Sequence, residues 1–252
     1  MSNRETGEPQ GDNEPLILAL DTSSKLTSMA IARGEKIIAT FGAELDETRS
    51  TKLWNLIDYL LEAVGVKIEA IDLYAVCTGP GGFTGLRVGM AATQAFAAAT
   101  GKLTVGVSSL EAWAAAVPFA TTVCSMLNAY KGEVYSQLFE LNERREPLAR
   151  NAPEVSAIEK ALERVAQIDN LVIVGDGAHL HHQAIKQFSL DEGSGSTTAS
   201  PKIWRIHQHS GFLAEEIARL GFLKMQTGAA VSAENLQATY VRGADIKIKV
   251  QG

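Results

Sequence analysis

The sequence predicts an α/β protein built from two halves of similar plan. Strand-like segments come first in each half, helices and strands then alternate, and this order occurs twice along the chain. A chain of 252 residues has room for one large domain or two small ones. We expect a disordered tail over 1–15, a first subdomain over 16–117, a second over 118–245, and a short tail over 246–252.

The first half opens with three strands in sequence. Short apolar runs bounded by turn residues predict each strand, and longer apolar segments predict the helices. The expected elements are strands over 16–20, 27–32 and 36–41, a helix over 49–64, a strand over 73–78, a helix over 83–100, a strand over 103–107 and a short helix over 110–116.

The second half begins again with strands. A hairpin is expected because two strand-like runs flank a turn that ends in Gly132. A polar, low-complexity surface loop is expected over 191–200. The other expected elements are strands over 122–127, 133–139 and 171–174 and helices over 155–165 and 210–220.

The helices over 49–64 and 83–100 both have an unusually small polar face. Asn55, Asp58 and Glu62 form one narrow stripe on the first helix, and the second has Arg87 and Gln94 on a shared face. Tight packing on the protein's own sheet is one explanation for either helix alone. Because two neighbouring helices share the property, a protein interface is the favoured interpretation.

Two turns are candidate phosphate-binding loops. A helix N-terminus after a glycine-rich turn is suited to anions, and the turn over 79–85 has this form, although its spacing fits neither the dinucleotide fingerprint nor the Walker pattern. The turn over 21–24 has hydroxyls that would hold phosphate and an acid, Asp21, that would orient a metal-bound water. In both cases simple turn formation is the alternative. The nucleotide-loop candidates are Asp21, Thr22, Ser23, Gly79, Gly81 and Gly82.

Catalytic and metal-binding patterns do not emerge from the sequence. His179 and His182 would share a helical face, but the chain has no His-x-x-x-His pair, and a polar surface cluster is the favoured interpretation. Cys77 and Cys124 lie in apolar runs and are expected to be buried thiols. We therefore predict no catalytic residue, no metal site and no cofactor of its own.

Composition excludes several classes of protein. The apolar fraction of 46% excludes a disordered chain. The net charge of −6 and the absence of a basic cluster exclude a stand-alone nucleic-acid binder. Without a signal peptide or an apolar run long enough to span a bilayer, a cytoplasmic location with no membrane contact is expected.

Four segments resemble the TsaB (YeaZ) family. They are LALDTS at 18–23, GPGGFTGLRVG at 79–89, GEVY at 132–135 and YVR at 240–242, and the resemblance extends over about residues 16–245. It implies a duplicated actin/hsp70-like (RNase H-like) fold with two mixed sheets flanked by helices. Two positions depart from the family pattern, because Asn128-Ala129-Tyr130 stands where relatives often have Asp-Ala-Arg, and Arg49 replaces a common histidine.

The resemblance also implies a function. TsaB proteins are non-catalytic partners of TsaD in threonylcarbamoyladenosine modification of tRNA, together with the ATPase TsaE. It implies a heterodimer with TsaD, a homodimer in isolation, tRNA contact only through the complex, and any ATP or ADP at the interface within the complex. The first two long helices would make the contact, with candidate partner-binding residues Leu53, Trp54, Ile57, Leu61, Phe83, Arg87, Met90, Ala91 and Gln94.

Two rival functions remain open at this point. An actin-like ATP-dependent phosphotransferase or ATPase would use Asp21 and the glycine turn directly on nucleotide. A peptidase, suggested by the glycoprotease relationship, is the weaker rival because no nucleophile or metal pair is evident.

Overall fold

The computed structural model describes residues 14–45, 49–194, 202–239 and 241. The first half contains β1 (Leu16–Asp21), β2 (Leu26–Arg33), β3 (Lys36–Glu44), α1 (Arg49–Ala63), β4 (Leu73–Gly79), α2 (Phe83–Thr100), β5 (Leu103–Ser108) and α3 (Ser109–Ala115). The second half contains β6 (Thr122–Asn128), β7 (Glu133–Leu141), β8 (Pro147–Ala149), β9 (Glu154–Ala157), α4 (Ile158–Val165), β10 (Asn170–Val174), α5 (Asp176–Leu180), α6 (His182–Ser194), β11 (Ile203–His207) and α7 (Ala214–Gln226). Single-turn 3-10 helices occupy Ile68–Ala70 and Ala233–Asn235.

The two halves contain sheets of the same topology. The first sheet has the order β3-β2-β1-β4-β5, and the second has β11-β10-β6-β7, with β8 and β9 both paired to β7. In each half the first two strands are antiparallel and the last two add in parallel beside the first strand, so that Ile17 pairs with Leu73 and Val172 with Val123. The predicted fold class, a duplicated plan with two mixed sheets, is confirmed.

Helices cover both faces of each sheet. α1 and α2 pack on the outer face of the first sheet, and α4, α5 and α6 pack on the outer face of the second. The central apolar cluster joins the two sheets through α3 and α7. α7 lies against the first sheet although it closes the second half, and α3 lies against the second sheet. This exchange of helices gives the halves a shared core.

Burial explains the strand pattern. All residues of β1 and β4 are buried, because both strands lie inside the first sheet with helices on both sides. β3 is an edge strand, and exposed residues alternate along it with partly buried ones.

Several predicted boundaries were wrong in the second half. The segment predicted as a helix over 155–165 starts as strand β9, since Val134 and Ser156 pair across β7 and β9, and the helix begins only at Ile158. The last helix begins at Ala214 and continues to Gln226 rather than spanning 210–220. The elements β8, α5, α6 and β11 were not predicted.

Some predictions fall partly or wholly outside the described residues. The expected loop over 191–200 is helical in α6 as far as Ser194, and its remaining residues lie outside the described part. The expected tails over 1–13 and 246–252 lie outside it as well, whereas Pro15 already accepts a hydrogen bond from the Gly34 amide. Among the described residues, no helix combines the length and apolar character needed to cross a membrane. The boundary between subdomains at 117 and 118 stays a prediction.

Candidate functional site: two closed loop pairs and an exposed helix face

The turn after β1 and the turn before α2 lie against each other. The Gly82 amide donates a hydrogen bond to the Ser23 carbonyl oxygen at 2.7 Å. The Thr22 hydroxyl donates to the Gly85 carbonyl oxygen, also at 2.7 Å. The sequence-predicted nucleotide-loop residues are thus brought together, but these donors are directed at protein carbonyls.

Glycine is required in this contact for steric reasons. A Cβ at Gly81 would lie 2.6 Å from the Ser23 carbonyl oxygen, and one at Gly89 would lie 2.3 Å from the Thr22 hydroxyl oxygen. Gly79 adopts a φ of 100°, a conformation that residues with side chains rarely reach. The glycine pattern therefore permits the close packing of the first turn on the start of α2.

Asp21 points into the protein. Only 1% of Asp21 is exposed, and its Oδ1 accepts a hydrogen bond from the Ser23 amide at 2.9 Å. Burial and the nearby Asp21 carboxylate raise the pKa of the Cys77 thiol well above its usual value. Cys77 therefore stays protonated at neutral pH and is a poor nucleophile.

The second half has an equivalent pair of turns. The Asp176 Oδ1 atom accepts hydrogen bonds from the Asn128 amide at 3.0 Å and from the Gly177 amide at 2.9 Å. A side-chain carboxylate thus takes the amides that a bound phosphate would need. Tyr130 and Lys131 follow in the hairpin turn, both with positive φ, and Tyr130 is 72% exposed.

No group of three or more His, Cys, Asp or Glu side chains within the described ranges is arranged to hold a metal ion. The His182 Nδ1 atom lies 3.0 Å from the His179 carbonyl oxygen, so the side chain of one histidine is hydrogen-bonded to the backbone of the other.

Four of the predicted partner-binding residues are core residues. Their side chains are at most 8% exposed and belong to the apolar cluster on the outer face of the first sheet: Leu53, Ile57, Leu61 and Met90. In this conformation they are not accessible to a partner. The sequence pattern misassigned them because a helix with few polar positions does not reveal which apolar face it buries.

The exposed surface of α1 and α2 comes from other members of the predicted set. Trp54 is 43% exposed and Phe83 is 54% exposed. The Arg87 guanidinium lies over the Phe83 ring, 3.7 Å from its centroid, and Ala91 is exposed one turn further along α2. The Trp54 ring meets the Phe96 ring edge-on at 4.9 Å, which joins α1 to α2.

Gln94 is bound by a segment of the same chain. It is partly buried, and its amide nitrogen donates to the carbonyl oxygens of Ala233 at 3.0 Å and Leu236 at 3.4 Å. The segment after α7 therefore packs against α2. Val231 anchors this segment by pairing with Thr104 of β5.

Four exposed positions on this surface were not predicted. Tyr59 on α1 is 61% exposed, Thr84 lies beside Phe83, and Ala95 and Ala98 continue the exposed row of α2. The helical spacing of Ala95 and Ala98 from Ala91 was available in the sequence. We define the α1/α2 face as the exposed residues Trp54, Tyr59, Phe83, Thr84, Arg87, Ala91, Ala95 and Ala98.

The two sheets have equal topology, are joined through exchanged helices and have paired turns at their strand ends. These features define an actin-like fold. The model of the family TsaD: tRNA N6-adenosine threonylcarbamoyltransferase matches residues 43–218. The chain belongs to this TsaD-type family and, within it, to the TsaB (YeaZ) proteins.

Individual relatives agree with that assignment. The tRNA threonylcarbamoyladenosine biosynthesis protein TsaB of Haemophilus influenzae is 30% identical over 241 residues, which cover 90% of this chain and 93% of the relative. The TsaB protein of Bacillus subtilis is 27% identical, over 92% of this chain and 96% of its own length. Among solved structures, YeaZ from Pseudomonas aeruginosa superposes with a TM-score of 0.74 at 22% identity, covering 90% of this chain and 99% of that one.

Proposed function

We propose that the chain acts in tRNA threonylcarbamoyladenosine biosynthesis as a non-catalytic subunit that binds a TsaD-type protein. The observation that carries the proposal is the α1/α2 face, where aromatic rings and alanines are exposed together. Isolated exposed apolar residues are ordinary, but a contiguous apolar patch marks an interaction site. The names of the TsaB relatives supply the pathway.

The shape of the face suits a helical partner. Alanine at positions 91, 95 and 98 keeps the surface of α2 low, so that another backbone can approach closely. Trp54 stands at one edge, and large aromatic side chains are frequent anchors of interfaces. Arg87 supplies a cation that is held over the Phe83 ring.

The non-catalytic role is supported by the closed loop pairs. A phosphate bound by the turn before α2 would compete with the Ser23 carbonyl for the Gly82 amide. In the second half it would compete with the Asp176 carboxylate. Under the same proposal any ATP or ADP binds at the interface within the complex. The chain contacts tRNA and the ATPase TsaE only as part of that complex. A net charge of −6 favours this arrangement for tRNA, because an acidic chain binds nucleic acid poorly by itself. A homodimer of the isolated chain would use the same face.

An actin-like ATPase or phosphotransferase is the second candidate, because the fold brings the turns after β1 and before α2 together. Calorimetric titration of the isolated chain with ATP and magnesium distinguishes the two. We expect no measurable binding, whereas tight binding that Asp21→Asn abolishes would favour the enzyme.

Reconstituted tRNA modification tests the main proposal. Phe83→Asp places a charge in the α1/α2 face, and Leu148→Asp makes the same change at a residue of similar exposure, 52%, on β8. We expect Phe83→Asp to abolish modification in a mixture with TsaD-type and TsaE-type proteins, and Leu148→Asp to leave it intact. Equal activity of both variants would refute the proposal.

A further inference from the structure

The turn between β7 and β8 reaches from the second half to the first. Hydrogen bonds hold the turn in one conformation, because both the backbone and the side chain of Asn142 accept one from residues later in the turn. The Arg145 amide donates to the Asn142 carbonyl oxygen at 2.8 Å, and the Glu146 amide donates to the Asn142 Oδ1 atom at 2.9 Å. Arg145 sits at a φ of 57°, an unfavourable conformation for a residue with a side chain.

Two arginines of this turn contact other parts of the chain: Arg145 binds the end of α3, which lies against the second sheet, and Arg144 reaches the first sheet. The Arg145 guanidinium donates to the carbonyl oxygens of Ala115, at the end of α3, and Val117, the latter at 3.0 Å. Carbonyl groups at a helix C-terminus lack hydrogen-bond partners within the helix, so Arg145 supplies a donor to a carbonyl group at the end of α3. The Arg144 Nη2 atom pairs with the Glu35 Oε1 atom at 2.6 Å, in the turn between β2 and β3.

Arg219 holds the turn from the first sheet, because α7 packs on that sheet although it closes the second half of the sequence. Its two terminal nitrogens donate to the carbonyl oxygens of Arg144 and Arg145, both at 3.0 Å. The planar fork of an arginine makes both bonds from a single fixed orientation. All three arginines are therefore engaged by protein groups, which explains why this cationic cluster is not itself a candidate anion site.

The surroundings of the turn are not closely packed. A cavity of about 220 Å³ is lined by all three arginines together with Glu35 and Glu216. A second cavity, of about 290 Å³, shares Glu216 and reaches the β3 strand at Thr40. Within the described residues, the buried Glu216 Oε2 atom has no hydrogen-bond partner. Hydrogen bonds and one ion pair, rather than apolar packing, thus join the halves at this point.

We propose that residues 142–146 form a latch that fixes the angle between the two halves, with Arg219 as its positioning residue. The apolar packing of α3 and α7 holds the halves together, but apolar contact is non-directional and tolerates small rotations. Hydrogen bonds to fixed carbonyl oxygens are directional and weaken steeply when the angle changes. The latch therefore restricts the two halves to one relative orientation.

The consequence is a fixed disposition of the second half relative to the α1/α2 face. A partner that docks on that face meets one shape of the protein rather than a range of shapes. The inference concerns the isolated chain and stands independently of the proposed function.

Distance measurement between spin labels on the full chain tests the latch. Labels at Glu62→Cys on α1 and Lys160→Cys on α4 report one residue from each half, and both positions are exposed. The native Cys77 and Cys124 are buried and do not compete for the label. With Arg219 intact we expect a single narrow distance distribution.

Arg219→Lys keeps the charge and loses the bidentate geometry, so it should broaden and shift the distribution. Arg144→Met, which removes the ion pair to Glu35, should broaden it less. The control is Arg164→Met, which removes an ion pair to Glu154 wholly inside the second half and should leave the distribution narrow. An unchanged narrow distribution in Arg219→Lys and Arg144→Met would overturn the proposal. So would equal broadening in the control.

Discussion

The helices on the outer faces of the two sheets differ in what they expose. On α4 the buried positions alternate with a charged outer face that includes Glu159, Lys160 and Glu163. On α2 the outer face is mostly alanine, and Phe83 begins it. Since the sheets beneath are built alike, the fold does not require the apolar surface of the first half. The difference supports the proposed contact of a partner with the first half.

The inner helices differ as well. Both α3 and α7 have a glutamate at their third position. Glu111 of α3 closes a capping box with Ser108 and pairs with Lys224 at 3.0 Å. Glu216 of α7 has no such partner within the described residues, and burial raises its pKa to about 7. Equivalent glutamates are thus ion-paired in the first turn of one helix and buried with a raised pKa in the first turn of the other.

The largest effect we predict concerns the cores of the outer helices. Leu53 of α1 and Leu162 of α4 are both buried, so Leu53→Ala and Leu162→Ala should each lower the free energy of unfolding by about 3 kcal/mol. Urea denaturation measures both. If Leu53→Ala kept full stability and lost only partner binding, Leu53 would be an interface residue after all.

The next effect concerns Glu216 and depends on pH. The pKa of Glu216 is raised in the folded state, so its carboxyl group ionises less readily there than in the unfolded chain. The resulting loss of folding stability therefore grows as the pH rises from about 4.5 to about 7. Glu216→Gln should therefore stabilise the protein by about 2 kcal/mol at pH 8 and by little at pH 4.5. Urea denaturation at the two pH values measures the difference.

Two controls bracket this result. Glu111→Gln should destabilise by about 1 kcal/mol, because it loses the ion pair to Lys224 and weakens the cap. Glu163→Gln on the exposed face of α4 should have little effect. A stabilisation by Glu216→Gln that is the same at both pH values would rule out ionisation as its cause.

The smallest effect compares two cation–ring contacts. Arg87 lies 3.7 Å from the centroid of the Phe83 ring in the first half, and Lys202 lies 5.6 Å from that of Trp204 in the second. Exposed contacts of this kind contribute about 0.5 kcal/mol, so Arg87→Ala should barely change thermal unfolding. A loss several times larger would mean that Arg87 supports the fold and not an interface.

The sequence predicted the first half well because its signals are local. Full burial of β1 and β4 gives unbroken apolar runs, and the predicted bounds of α2 are those observed. In the second half β9 was read as the start of a helix, since its pairing with β7 is a contact between distant residues that periodicity does not reveal. The repeated order of strands and helices predicted two similar halves, and the resemblance implied which duplicated fold they form.

The candidate site was only partly predictable. Glycine spacing located the turn before α2, but not the hydrogen bond from Gly82 to Ser23 that closes it. Apolar content located α1 and α2, but the direction of each side chain depends on where the sheet lies. Leu53 and Trp54 are adjacent in sequence, and one is buried while the other is 43% exposed.

The central claim is that the α1/α2 face binds a TsaD-type protein, and the affinity of that complex tests it most directly. Ala91→Arg adds a long charged side chain in the middle of the face, and Ala149→Arg makes the same change at an exposed alanine of β8. By calorimetric titration we predict about a hundredfold weaker binding for Ala91→Arg and unchanged binding for Ala149→Arg. Wild-type affinity in Ala91→Arg, with the fold intact, would contradict the account.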